Sequence, residues 1–217
     1  MIEQLGIQPW LIDTVSVAKQ KSVACVEAGH IYTDEMPSLS HEIGAIVGAN
    51  VCTELEKMGI GVQRMLFVDD YNVASNDLNL TDYSNLLSQH GFTVDRTVME
   101  STLIKDAKEV IVRLQMSSMT ELSRNGAVVL KKNHKKEKEI VLKKSPGMGS
   151  VPACAALDAA LYLIKAKEAG ICVTVLHKEW KDQQEGVRRV LKALGENVSI
   201  LEVYYSDDGE VEVVFDY

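Results

Sequence analysis

Apolar positions along this chain fall into alternating blocks of two different periods. Residues 22–28 (SVACVEA), 63–69 (QRMLFVD), 94–99 (VDRTVM) and 171–177 (ICVTVLH) are short apolar-rich runs and predict strands. From about Ser40 to Met58 the pattern changes, with Ile43, Val47, Val51, Leu55 and Met58 at spacings of 4, 4, 4 and 3. That spacing puts them on one helix face, and Gly59 stops the helix. Further helices are predicted over 83–90, 103–115, 153–169 and 181–194, three of them ending at Gly91, Gly170 and Gly195. Two hairpins complete the pattern, 127–131 with 139–143 and 198–204 with 210–215, the second turning at Asp207-Asp208-Gly209. The stretches Asp70–Asp82, rich in Asn and Asp, and Ser145-Pro-Gly-Met-Gly-Ser150 read as loops.

Strand–helix alternation with apolar strands implies an α/β fold: a Rossmann-like parallel sheet with helices on both faces and a small antiparallel hairpin. The expected organisation is one domain over 1–217, with a first half (21–123), a lysine-rich hairpin and loop (124–150) and a second half (151–217). Right-handed crossovers put ligands at the carboxyl ends of the strands, near the topological switch point. No G-x-G-x-x-G follows the first strand and no G-x-x-x-x-G-K-[ST] occurs, which disfavours dinucleotide and P-loop chemistry.

Composition sharpens this picture in three ways. At 217 residues the chain can bury about 70% of its surface and needs no staples. The net charge is −8, yet residues 131–144 hold seven lysines and two glutamates, +5, leaving −13 elsewhere. That segment is either a solvated hairpin or a phosphate-facing element. The acidic balance argues against general nucleic-acid or anionic-membrane binding. Cys25, Cys52, Cys154 and Cys172 are single and set in apolar runs, so they read as buried thiols of a reducing compartment. No H-x-x-x-H spacing suggests zinc, and no metal is assigned. The N-terminus lacks a signal pattern and no apolar run is long enough to span a membrane, so a cytoplasmic protein is expected.

Polar residues collect at predicted strand ends. His41 opens the long helix beside Ser38 and Ser40, where unpaired N–H groups favour a phosphate. The alternative is that a serine merely caps the helix and His41 lies on the surface. Asp69 and Asp70 close the second strand and could hold a ribose, an amino group or Mg²⁺, or simply cap the next loop. Glu100 and Ser101 end the third strand, and His177 ends the run 171–177.

With these residues in place, a family resemblance emerges. Pro37-SLSH-EIGAIVGANVCTELEKM-Gly59 resembles the signature region of class I aminoacyl-tRNA synthetases, whose HIGH motif falls on Ser38, Leu39, Ser40 and His41. Gly91-FTV-Asp95-RTVM-Glu100-Ser101 is similar to the arginyl-type pattern G-[IF]-x-[FV]-D-x-x-x-x-E-S. Glu139-IVL-Lys143-Lys144-Ser145-Pro-Gly147 resembles the arginyl L-V-[RK]-K-S-D-G, and Gln183-Gln184 follow in the family's order. The likeness runs piecewise over residues 22–217.

The resemblance implies ATP and Mg²⁺ as co-substrates, with no tightly bound cofactor, and ligase chemistry in which a small carboxylate becomes an adenylate. It implies catalytic roles for His41 and Lys144, and ligand contacts from Ser38, Ser40, Asp69, Asp70, Glu100, Ser101, His177 and Gln183. The departures are specific. Ser38 replaces the first histidine, and Ser40 the glycine on which adenine packs. Pro146 replaces the KSDG aspartate, and Ala153-Cys-Ala-Ala156 the residues that read the amino acid. Ser206-Asp-Asp-Gly-Glu210 stands where a lysine-rich KMSKS loop is expected, and no anticodon-binding domain is evident. The expectation is a divergent core that binds a nucleotide and activates a carboxylate. The alternative is an inactive paralogue that binds a small ligand or a protein, with a second copy of itself among the expected partners and tRNA not.

Overall fold

The structure is a computed structural model and describes residues 23–32, 37–70, 80–132, 134 and 136–216. Its strands are β1 (Val23–Tyr32), β2 (Gly61–Asp69), β3 (Arg96–Met99), β4 (Thr120–Leu122), β5 (Val128–Leu130), β6 (Val141–Lys143), β7 (Ile171–His177), β8 (Ile200–Tyr205) and β9 (Val211–Asp216). Its helices are α1 (Leu39–Lys57), α2 (Leu80–Gln89), α3 (Ile104–Met116), α4 (Cys154–Glu168) and α5 (Lys181–Ala193), with single 3₁₀ turns at Glu100–Leu103, Pro146–Met148 and Lys178–Trp180. Six strands form a sheet in the order β3-β2-β1-β7-β8-β9, parallel except for β9, which runs antiparallel to β8. The predicted α/β class holds, and the strand order reverses between β1 and β7, the switch point at which ligands enter such sheets.

The chain divides into two compact units. The first, Met1–Ser101, Lys165–Trp180 and Val198–Tyr217, contains the large sheet with α1 and α2. β7 and β8, like Ala24–Ala28 of β1, are buried on both faces, which is why they read as apolar runs rather than alternating ones. Ala24, Val26 and Ala28 of β1 join Leu66, Val68, Val173, Val175, Leu201 and Val203 in one core with Val47, Val51 and Leu55 of α1. Helix α1 lies directly on β1 because residue 48 has no side chain: a Cβ there would stand 2.6 Å from the Ala28 Cβ.

On the opposite face of these strands lies a buried polar row. Glu27, Thr174 and Glu202 are register neighbours across β1, β7 and β8, and all three are buried. The Lys165 ammonium, fully enclosed, donates to Glu27 Oε2 at 2.6 Å and to Thr174 Oγ1 at 3.2 Å. Tyr204 donates its hydroxyl hydrogen to Glu202 Oε2 at 2.7 Å. Burial opposes charge on Lys165 most strongly, but the Glu27 carboxylate and its hydrogen bond, together with Cys25 and Cys172, hold the ammonium above its ordinary pKa.

The second unit, Thr102–Ile164 and Lys181–Asn197, holds α3, most of α4, α5 and the three-stranded antiparallel sheet β4-β5-β6. Here Asp158 and Tyr162, one turn apart on α4, meet α5: Gln183 Nε2 donates to Asp158 Oδ2 at 2.8 Å and the Tyr162 hydroxyl to Gln184 Oε1 at 3.1 Å. Four details differ from the sequence reading. Strand β4 was not foreseen, since three residues, two of them exposed, carry no alternation. Strand β1 runs to Tyr32 rather than residue 28, across a register shift between Glu27 and His30. Helix α2 begins at Leu80, inside the predicted loop, of which 71–79 lie outside the described residues. Cys154 is exposed at the first residue of α4, while Cys25, Cys52 and Cys172 are buried as expected. No helix among the described residues is long and apolar enough to cross a membrane.

Removing one partner of the buried ion pair strands a charge in an apolar interior. Glu27→Ala should cost about 3–5 kcal/mol in urea unfolding, and Glu27→Leu combined with Lys165→Met should cost much less than the two single changes together. Additive losses would show that the pair is not coupled.

Candidate functional site

The carboxyl ends of the parallel strands deliver Asp69, Glu100, His177 and Tyr205 to one edge of the first unit, where α1 also begins. Ser38 is the N-cap of α1, with extended backbone, and His41 occupies the third helical position. The two residues exchange contacts as a capping box. The Ser38 backbone N–H donates to His41 Nδ1 at 3.2 Å, and the Ser38 hydroxyl lies 2.7 Å from the same nitrogen. Because Nδ1 accepts a backbone hydrogen, the neutral imidazole carries its proton on Nε2. The ring packs edge-on against buried Tyr83, with centroids 5.0 Å apart. His41 is therefore a capping residue whose second nitrogen is a donor.

Tyr205, which sequence reasoning missed, occupies the space over the first turns of α1. A Cβ built on Gly44 would come within 2.6 Å of its hydroxyl oxygen and 2.9 Å of its Cζ. The hydroxyl shares a hydrogen bond with the Ser40 side chain. Burial pushes the phenol above its ordinary pKa; the Ser40 hydrogen bond opposes that rise and nearby Asp207 adds to it. His177 stacks edge-on to the same ring at 5.6 Å. Its Nε2 is buried without a hydrogen-bond partner among the described residues, 3.6 Å from Asp207 Oδ1, while Nδ1 lies 3.7 Å from Glu179 Oε2.

On the other side of the switch point, Asp70 is committed to Ser101. Ser101 donates its backbone N–H to Oδ1 at 2.8 Å and its hydroxyl to Oδ2 at 2.6 Å. Both carboxylate oxygens thus cap the 3₁₀ turn Glu100–Leu103 after β3, not the next loop after β2 that the sequence suggested. Glu100 is buried, and Asp69 is half-buried. The turn between β8 and β9 is acidic, with the Ser206 hydroxyl hydrogen-bonded to Asp208. That bond, helped by the Glu210 backbone N–H, holds the Asp208 carboxyl below the usual carboxylate range.

Lys144 and Gln183 belong to the second unit. Lys144 follows β6, where its backbone N–H donates to Val151 O at 2.8 Å and closes a loop whose residues 146–150 are exposed. Gln183 is held by Asp158 as described above. This unit contains a cleft of about 870 Å³ between the lysine-rich segment and α5, floored by Ile140, Ala153, Cys154, Ala155 and Gly186. Its one faint signal in the sequence was the run of small residues at 153–156.

The tight approach of Tyr205 to Gly44 is testable. Gly44→Ala should destabilise the protein by about 1–3 kcal/mol, as overpacking does, and most of that cost should vanish in a Tyr205→Ala background. An undiminished cost in thermal or urea unfolding would contradict the contact.

Comparison with known proteins agrees with the family resemblance. No family model matches the chain. It is 33% identical over 112 residues to the arginine–tRNA ligase of Methanopyrus kandleri, a stretch covering 51% of this chain and 18% of that protein. Its fold matches the arginyl-tRNA synthetase of Thermus thermophilus with a TM-score of 0.65 and 13% identity, over 85% of this chain and 48% of that one. A Campylobacter jejuni structure assigned to the same synthetases gives a TM-score of 0.68 at 12% identity, over 84% of this chain and 54% of that one. This chain therefore spans about a fifth of the curated relative and about half of the solved ones. It is a divergent likeness of the arginyl-type class I catalytic core, by sequence over half its length and by fold over most of it.

Proposed function

We propose that this arginyl-synthetase-like core is a binding module for a small polar molecule, which sits at the carboxyl edge of its sheet, and that it does not form adenylates. The observation that carries the reading is the Tyr205 hydroxyl, hydrogen-bonded to Ser40 and pressed against Gly44. The resemblance puts adenine on position 40, and here that position carries a side chain already engaged by a phenol.

Adenylate formation stabilises charge on the α-phosphate, so it needs positive or N–H donors aimed at that group. Ser38 cannot supply an imidazole, and one nitrogen of His41 is consumed by the helix cap. Asp207, Asp208 and Glu210 occupy the turn in which the family carries lysines, and they oppose a triphosphate. Magnesium would have to share Asp70 with Ser101, which already takes one lone pair of each carboxylate oxygen. ATP with Mg²⁺ thus fits these residues poorly. His177 remains, half-buried beside the switch point, with a buried Nε2 that makes no hydrogen bond among the described residues. A ligand that offers one acceptor or donor there and a compact polar body matches the site.

The competing reading, residual carboxylate activation with ATP, is favoured by the collinear motifs. Pyrophosphate exchange across the amino acids separates the two. The binding-module reading expects no exchange with any amino acid and no saturable heat with Mg·ATP. It also expects that amino acids, amines or nucleosides which raise the melting temperature do so in the wild type and not in His177→Ala. Exchange with any one amino acid would overturn it.

A further inference from the structure

The two units differ sharply in charge. The second carries 15 Lys and Arg against 9 Asp and Glu, +6, while the first carries 8 against 22, −14. Most of the excess lies between Lys131 and Lys144. Part of this segment is tied down. Lys138 pairs with Asp182 on α5, and Arg189 of α5 pairs with Glu137 at 2.5 Å and donates to the Lys138 carbonyl at 3.3 Å. These contacts fix the segment against α5 and use its cations at one point only. Lys131, Lys132 and Lys136 are exposed, Lys143 and Lys144 half-buried, and none of the five forms an ion pair among the described residues. Like charges held this close repel one another, and an anionic partner relieves that repulsion.

The surroundings of the lysines indicate which anion. Single-stranded nucleic acid needs aromatic faces for its bases, and this unit offers little: its one Phe, Trp or Tyr, Tyr162, is buried and bonded to Gln184, which leaves His134 alone at the cleft. Glu137, Glu139, Asp182 and Glu185 stand among the cations and would repel a continuous phosphate backbone. Carboxylates spaced along a polypeptide can pair with the free lysines and avoid those acids. The cleft of about 870 Å³ beside them has an apolar floor at Ile140, Ala153 and Ala155, room for one anchoring side chain. We propose that the Lys131–Lys144 segment and its cleft are a docking surface for an acidic segment of a partner protein, one that carries an apolar anchor among its carboxylates.

The test is fluorescence anisotropy of the full chain with a labelled dodecapeptide of Glu and Asp bearing a central Leu. A single-stranded oligouridylate and an RNA duplex of similar length serve as the other polyanions. The peptide should bind at about 50 mM salt and weaken about tenfold or more by about 500 mM. The triple variant Lys131→Glu, Lys132→Glu, Lys136→Glu should lose binding by a further tenfold or more with its melting temperature nearly unchanged; if it does not fold, the triple Gln variant should show a smaller loss in the same direction. Replacing the central Leu by Ser should weaken binding several-fold. Failure of the peptide to bind, indifference to the lysine substitutions, or tighter binding of either RNA would overturn the proposal.

Discussion

The structure of the first unit depends on how closely α1 approaches the sheet. Two glycines one turn apart set that distance. Gly48 lets the helix backbone meet Ala28 of β1, and Gly44 leaves the space that Tyr205 fills. A helix seated this low brings its N-terminus to the carboxyl edge of the strands, so Ser38, Ser40 and His41 share an edge with His177 and Tyr205. The same closeness lets those groups satisfy one another. Buried or half-buried polar atoms must find partners, and on this edge Ser38, Ser40, His41 and Tyr205 find them within the protein, while His177 Nε2 has none among the described residues.

That internal satisfaction separates the architecture from the chemistry of its relatives. The sheet order, the switch point and the helix N-terminus of an arginyl-type core are all present. The groups on this edge are bound to each other: Ser38 to His41, Ser40 to Tyr205, Asp70 to Ser101. A phosphate would have to break those contacts before it gained any. Charge adds to the mismatch, since the unit that carries this edge is the acidic one and 15 of the 23 Lys and Arg belong to the other.

Much of the fold was legible in the sequence because its signals are local. The 4, 4, 4, 3 spacing of α1, the apolar runs of β2 and β7 and the Asp-Asp-Gly turn before β9 each follow from a few neighbouring residues. What escaped depends on long-range meetings. Asp70 finds Ser101 31 residues later, and Glu27 finds Lys165 138 residues later. Hints existed in hindsight: Glu27 is a lone charge in an apolar strand, and Lys165 continues the inward stripe of Leu157, Leu161 and Ile164. Neither pattern names the partner. Strand β4 and the register shift in β1 stayed hidden because short or irregular pairings leave no period to read.

The claim that this edge is satisfied from within is tested most directly by a long-range ¹H–¹⁵N spectrum of the His41 ring, recorded with and without Mg·ATP. The account predicts a neutral ring with an unprotonated Nδ1, held by the Ser38 N–H, and a protonated Nε2, with both signals unmoved by the nucleotide. A proton on Nδ1, or a saturable shift of the ring nitrogens with Mg·ATP, would contradict it.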